Sequence, residues 1–259
     1  MKADPTSVPP LFAEASGCLA KQYLTPSVYH ALKSVSTASG FTLTDAIASG
    51  VAHPDSSIGI YAGDQASYDS FALLLEPIIQ AYHGFSGDAV HQTDLTPVRL
   101  PELDPENKFI RSTRIRVARN LKAFTFPCHI RLEERSRLAD TVLPVFEGFS
   151  DEFKGHYVSL ENEDEKVLER LAEEKILFAR GDRFQDAGGF NRDFPKFRGV
   201  FFSENRHLRI WINEEDHLRI ISQSASSDLA GVFSRLCDVL ARLETRIEFC
   251  RHPRYGYLN

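Results

Sequence analysis

The 259-residue chain holds one methionine, one tryptophan and only four cysteines. Cys18, Cys128, Cys237 and Cys250 stand singly with no C-x-x-C pair, which argues against zinc-ribbon spacing and a disulfide framework and for reduced thiols in a reducing compartment. No apolar run is long enough to cross a bilayer, and the stretch from Met1 to Ser7 lacks the apolar core of a secretory leader, so a cytoplasmic location and no membrane partner are expected. Basic residues are scarce at the start: residues 1–100 carry 4 Lys/Arg against 9 Asp/Glu, and the remainder 26 against 27. A net charge of -6 speaks against a nucleic-acid partner bound through a broad basic surface and leaves small anions as ligands for local arginine clusters.

What is present reads as α+β, a small all-α N-terminal domain followed by an antiparallel sheet flanked by helices. Residues 1–10, with three prolines, are expected to form a flexible arm. Over 11–86 the apolar residues recur at helical spacing: Val28, Leu32 and Val35; a start at Thr44-Asp45 before Ile47 and Val51; then Phe71, Leu74, Leu75, Ile78 and Tyr82. Residues 87–108 are polar and proline-bearing and read as a linker, and 109–259 form the second domain. There a helix from Leu132 is expected to be interrupted near Pro144, and an acidic amphipathic helix covers about 163–178 with Val167, Leu168, Leu171 and Ile176 inward. Gly181 to Phe184 reads as a turn, Arg198 to Phe202 and Leu208 to Ile212 as successive strands, and a long helix begins near Ser227.

Three stretches are chemically suggestive. Between helices, Val51 to Asp64 carries small residues, two glycines and Tyr61, a loop that is either a plain connection or one bringing backbone amides to a ligand. From Phe109 to Asn120, strand alternation places Ser112, Arg114, Arg116 and Ala118 on one face. Two guanidinium groups about 7 Å apart suit a polyphosphate, because each planar fork takes two oxygens, or they are ion-paired on an exposed strand. In Trp211 to Ser222, Asn213, Glu214, Glu215, Asp216 and His217 lie between two β-favouring runs. That turn either mounts carboxylates at the end of a sheet, with Arg219 close by, or is simply solvated. With no further histidine or cysteine at ligand spacing, Glu215 and His217 are assigned no metal.

Ser112 to Arg116 together with Asn213 to Arg219 resembles the phosphagen kinases, the ATP:guanidino phosphotransferases, and the short loop at 51–64 resembles their arginine-kinase branch. The resemblance runs from about residue 15 to the last residue. It implies the guanidino kinase fold and reversible transfer of the ATP γ-phosphoryl group to a small guanidino substrate, L-arginine in the first instance, with ATP/ADP and Mg²⁺ carried mainly by the nucleotide. By resemblance Ser112, Thr113, Arg114, Ile115, Arg116 and Arg219 belong to the nucleotide site. Glu215 holds the guanidinium and assists its deprotonation, and Ser56, Ser57, Ile58, Gly59, Ile60 and Tyr61 form the loop over the substrate's amino-acid end. Asp55 and Arg183 match a pair tying that loop to the larger domain. Lys175 stands where the family has a nucleotide-contacting histidine, and Ser57 replaces a glycine.

The family's substrate-binding cysteine follows the segment matching Arg254 to Asn259, beyond the last residue here, so an incomplete family member is expected rather than a naturally shortened one. Alternatives are an inactive nucleotide-binding or interaction module and a relative of the protein-arginine kinases; the latter lack the small helical domain, which residues 11–86 supply.

Overall fold

The computed structural model describes residues 11–84, 88–97 and 99–258; the arm expected at 1–10 lies outside them. Helices α1 (Leu19–Tyr23), α2 (Pro26–Leu32), α3 (Leu43–Ala52), α4 (Ser67–Ser70) and α5 (Ala72–His83) come first. They are followed by strand β1 (Thr113–Arg119), helix α6 (Leu132–Glu147), strand β2 (Gly155–Ser159), and helices α7 (Glu165–Glu173) and α8 (Arg183–Ala187). The chain then runs through β3 (Gly199–Ser203), β4 (Leu208–Ile212), β5 (Leu218–Ser224), α9 (Leu229–Glu244), β6 (Arg251–His252) and β7 (Gly256–Tyr257). Helices first and an antiparallel sheet after them is the class expected from the sequence. Two compact units result. One comprises the described residues of 1–91 with 125–130 and 181–192, the other the described residues of 92–124, 131–180 and 193–259.

In the first unit, α3 is capped by Thr42 and begins at Leu43, not at Thr44. The Thr42 side chain accepts from the Asp45 amide while Asp45 accepts from the Thr42 amide, a reciprocal cap that satisfies two otherwise orphaned donors. Helix α2 ends at Leu32, so Val35 falls outside it, and Tyr82, expected inward, is exposed. Asp64 is the unit's buried polar anchor: Thr37, Ser39 and Ser67 hydroxyls all donate to its carboxylate at 2.6–2.7 Å. Burial works against the carboxylate, but these donors outweigh it and hold its pKa below the ordinary value. Segment 181–184 is not merely a turn, because Asp182 caps α8 through the amides of Phe184 and Gln185.

In the second unit a five-stranded antiparallel sheet runs in the order β1-β5-β4-β3-β2. The pairing register puts Ile115, Val117, Ile220, Ile210 and Phe201 on one face. There Phe146 of α6 and Phe149 meet the Phe201 ring at centroid distances of 5.3 and 5.6 Å, and α9 packs on β5 and β1. All of β3 is buried, and enclosing one such phenylalanine contributes about 1.5–3 kcal/mol. Pro144 does not interrupt α6: it sits in the last turn, where only one intrahelical bond is lost before the helix ends.

The opposite face carries Arg114, Arg116, Ile221, Gln223, Arg219, Arg209 and Trp211. Its β2–β3 side is covered by Leu171 and Ile176, which cluster with Val158, Val200 and Phe202. Helix α7 ends at Glu173, short of the span expected from periodicity, because Lys175 adopts φ 56°. The Lys175 amide donates to Ala172 and the Ile176 amide to Leu171, so the chain turns out of the helix and still returns Ile176 to the core. Among the described residues no helix is long and apolar enough to cross a membrane.

Candidate active site

The turn from Asn213 to His217 is not a solvated loop. Asn213 is wholly buried with φ 59°, in the left-handed region that asparagine tolerates better than most residues. Its amide donates to the His217 carbonyl at 3.0 Å, and its side chain donates to the carbonyls of Phe197 at 2.8 Å and Arg135 at 3.3 Å. His217, also fully buried, accepts from the Leu121 amide at Nδ1 (3.0 Å), while its own amide donates to Asn120 Oδ1 at 2.9 Å. The Nδ1 acceptor role assigns the ring proton to Nε2. His217 therefore braces the turn against the residues after β1.

This bracing fixes three consecutive carboxylates around one cation. Arg219 Nε donates to Glu214 at 3.0 Å, and the same guanidinium donates to Glu215 and to Asp216, each at 2.9 Å. The carboxylates differ in burial: the Asp216 side chain is 7% exposed and that of Glu215 39%. Glu215 is thus the one with open access, and its second oxygen has no partner among the described residues. Burial pushes Asp216 up to about 7 despite the Arg219 charge, with Glu215 and Glu214 adding repulsion. Burial pulls the Arg219 guanidinium down, but Glu214, Asp216 and Glu215 outweigh it and hold its pKa above the ordinary value.

The Asp216 shift has a consequence for stability. A carboxyl whose folded pKa is raised contributes stability that is full below its unfolded value near 3.9 and lost as pH rises through about 7. Asp216→Asn removes that term. The difference in unfolding free energy between the parent and Asp216→Asn is expected to shift by up to about 1.4 kcal/mol per pH unit between pH 5 and 7, against the parent. Denaturant titrations of both proteins at pH 5, 6 and 7 check this, and parallel pH profiles would contradict it.

On the same sheet face Arg114 and Arg116 are exposed, and neither has a hydrogen-bond or ion-pair partner among the described residues. This removes the ion-paired reading of β1 for these two side chains. Arg116 stands opposite Ile221, and Ile221 in turn opposite Arg209; the next row along the face is Ala118, Arg219 and Trp211. Ser112 precedes the strand, and Thr113 and Ile115 face the helices, Thr113 bonding the Ser226 carbonyl at 2.8 Å. Of the β1 residues expected at the nucleotide site, only the two arginines lie on the open face. The Lys175 side chain is exposed, while its carbonyl receives the Arg209 guanidinium. Sequence reading missed Arg209.

The first unit shapes the loop from Ser56 to Tyr61. Leu19 and Ala20 amides donate to the carbonyls of Ser57 and Ile58 at 3.0 and 2.9 Å, and the Tyr61 amide donates to Ala46 at 2.9 Å. The amides of Ser57, Ile58, Gly59 and Ile60 have no acceptor among the described residues. Successive amides in a turn make an anion-binding concavity where they converge; of these four residues Ser57 is exposed, Ile58 half-buried, and Gly59 and Ile60 buried. A glycine pair allows the loop to lie on α3: a Cβ at Gly50 would fall 2.6 Å from the Gly59 carbonyl oxygen, and Gly59 has φ +76°. Gly50 was not foreseen as part of the loop's support, although a glycine inside a helical pattern is a signal of close approach. Asp55 and Arg183 form an ion pair, and His53 Nε2 lies 3.0 Å from the Arg183 carbonyl oxygen. Residues 181–192, although they belong by sequence to the stretch expected to form the larger domain, pack within this unit, so the ion pair joins the loop to that stretch as expected.

Comparison with known proteins gives two family matches: the N-terminal domain of ATP:guanido phosphotransferases over residues 14–80 and their C-terminal catalytic domain over 137–259. Glu215, Arg219 and the Ser56–Tyr61 loop fall inside these ranges; Arg114 and Arg116 fall between them. The chain is 41% identical over 244 residues to the arginine kinase of Artemia franciscana, covering 93% of this chain and 68% of that protein. It is 41% identical over 243 residues to that of Anthopleura japonica, covering 93% of this chain and 34% of that longer one. It therefore spans about a third of one arginine kinase and about two thirds of the other. Among solved structures, a lombricine kinase matches with TM-score 0.92 and 26% identity, covering 100% of this chain and 73% of that one. The substrate-free duplicated taurocyamine kinase of Schistosoma mansoni matches with TM-score 0.90 and 26% identity, covering 95% and 36%.

Proposed function

The chain belongs to the ATP:guanido phosphotransferase family, the phosphagen kinases, and on that basis we propose that its residues serve reversible transfer of the ATP γ-phosphoryl group to L-arginine. The observation that carries the reading is Arg114 and Arg116, both uncommitted, on the sheet face that also presents Arg219, with Glu215 at the strand end beside it.

Phosphoryl transfer to a guanidinium nitrogen needs the spread charge of the phosphates neutralised, and the two reactants held in line. Arg114 and Arg116 take the nucleotide phosphates, since planar guanidinium forks engage two oxygens at once. Arg219 already grips three carboxylates and joins the phosphates by exchanging part of that set. Glu215, partly open and with one free oxygen, holds the acceptor guanidinium and draws off its proton as the nitrogen attacks. Glu214, Glu215 and Asp216 each give an oxygen to Arg219, so Mg²⁺ is assigned to the nucleotide's own phosphates, where it offsets their charge. The free amides of Ser57 to Ile60 suit the carboxylate of an amino-acid substrate. In this reading residues 11–86 are the guanidino-substrate domain and 109–259 the catalytic domain.

Arginine is favoured over other guanidines by relatives near 40% identity that are arginine kinases; taurocyamine and lombricine, the substrates named for the structural neighbours, are the competitors. Incubating the 259-residue chain with Mg·ATP and each guanidine, and following phosphorus NMR for a phosphoguanidine signal, tests the proposal. The result expected is a product signal strongest with arginine. ADP binding without product from any guanidine would instead make the chain a nucleotide-binding module.

A further inference from the structure

Arg209 sits between the phosphate-binding arginines and the end of α7, and its surroundings are unusual for a structural arginine. It is 8% exposed. The guanidinium donates to the Lys175 carbonyl and, at 2.6 Å, to Gln223 Oε1. Both acceptors are neutral. Its Nε is buried and has no acceptor among the described residues. Glu174, the one carboxylate that favours its charge, is itself ion-paired with Arg206 at 3.5 Å. Burial first, then the charges of Arg114 and Arg206, push its pKa below the ordinary value. A buried cation facing like charges costs folding stability unless an anion joins it.

The geometry shows what this cation holds. Gln223, opposite Arg114 across the β1–β5 pair, accepts from Arg209 and donates through Nε2 to the Arg206 carbonyl at 2.9 Å. On the other side Arg209 fixes the carbonyl of Lys175, next to Ile176, whose carbonyl receives Trp211 Nε1 at 2.8 Å. Two side chains of β4 thus pin residues 175 and 176, and one of them reaches across to the residue facing Arg114. We propose that Arg209 is a nucleotide-positioning residue: it holds Gln223 and the Lys175 turn in place beside Arg114 and Arg116, and adds its charge to the face that receives the phosphates. The proposal rests on the nucleotide-binding reading of that face.

The test compares Mg·ADP and AMP binding, by calorimetric titration of the full chain, in the parent, Arg209→Met and Arg209→Lys. Arg209→Met is expected to weaken ADP about 5–10-fold and AMP less, so that the ADP-to-AMP affinity ratio falls. Arg209→Lys, which keeps the charge and loses the two-pronged grip, is expected to bind ADP with intermediate affinity and to keep the parental ratio. A merely structural role would weaken both nucleotides equally, and that outcome, or parental ADP affinity in Arg209→Met, overturns the proposal. Should Arg209→Met fail to fold, parental ADP affinity in Arg209→Lys overturns it. A parent that binds no ADP removes the nucleotide reading along with Arg209, whereas a parent that binds ADP beside an unchanged variant removes Arg209 alone.

Discussion

Glu215→Gln is expected to lower phosphoryl-transfer turnover by about 10²–10⁴-fold, while Mg·ADP affinity changes by much less, since Arg114 and Arg116 are untouched and Arg219 keeps Glu214 and Asp216 as partners. Glutamine matches glutamate in size and can still accept from Arg219, so the turn that Asn213 and His217 brace keeps its shape. What is lost is the charge that pairs with a guanidinium and the acceptor that takes its proton. Glu214 and Asp216 do not substitute, because their side chains are only 18% and 7% exposed against 39% for Glu215. Steady-state rates with varied arginine, alongside an ADP titration, check both halves. Parental turnover in Glu215→Gln would remove this carboxylate from the chemistry.

The second large effect is expected at Gly50→Ala. By helix propensity alone the change stabilises α3 by about 0.5–1 kcal/mol. Packing reverses the sign. The new Cβ would lie 2.6 Å from the Gly59 carbonyl oxygen and 2.8 Å from Gly59 Cα, backbone atoms that cannot swing aside. Gly59 has little room to retreat, since its own φ is +76° and a Cβ there would meet Cys18 Sγ at 2.8 Å. Overpacking of this kind costs about 1–3 kcal/mol, so a fall in the thermal midpoint is expected together with a displaced substrate loop. A displacement of about 1 Å can cost a factor of about 10² in rate, and the arginine KM is expected to rise at least about tenfold with ADP affinity unchanged. An unaltered arginine KM would show that the loop does not depend on the Gly50–Gly59 approach.

These two positions illustrate what a sequence shows and what it hides. The Asn213 to Arg219 stretch was legible because its residue types are rare between two strands, and the strands β4 and β5 lie where the alternation placed them. Whether its carboxylates were solvated was not legible, because the answer depends on Asn120, Leu121, Arg135 and Phe197, which are distant in sequence. Arg114 and Arg116 could be placed on one face by strand alternation, yet their freedom from ion pairs required the register of β1 on β5. Arg209 escaped notice for the same reason: in sequence it is one arginine within an apolar strand, and only the pairing of β4 with β5 and β5 with β1 brings it two strands from Arg116.

Local boundaries were misread where one residue's conformation decided them. Lys175 ended α7 by turning left-handed, which a lysine side chain does not announce. Thr42, not Thr44, capped α3 because Asp45 stands three residues after Thr42, the spacing that lets each side chain reach the other's amide. Pro144 by its type suggests a break, although near a C-terminus a proline removes a single bond.

The most direct test of the account is a calorimetric titration of Mg·ADP into the 259-residue chain and into Arg116→Ala. The account predicts saturable binding by the parent and a loss of about tenfold or more in the variant, as for removal of a charge-assisted contact to phosphate. Absence of ADP binding in the parent, or equal affinity in the two proteins, would contradict the assignment of this arginine face to the nucleotide.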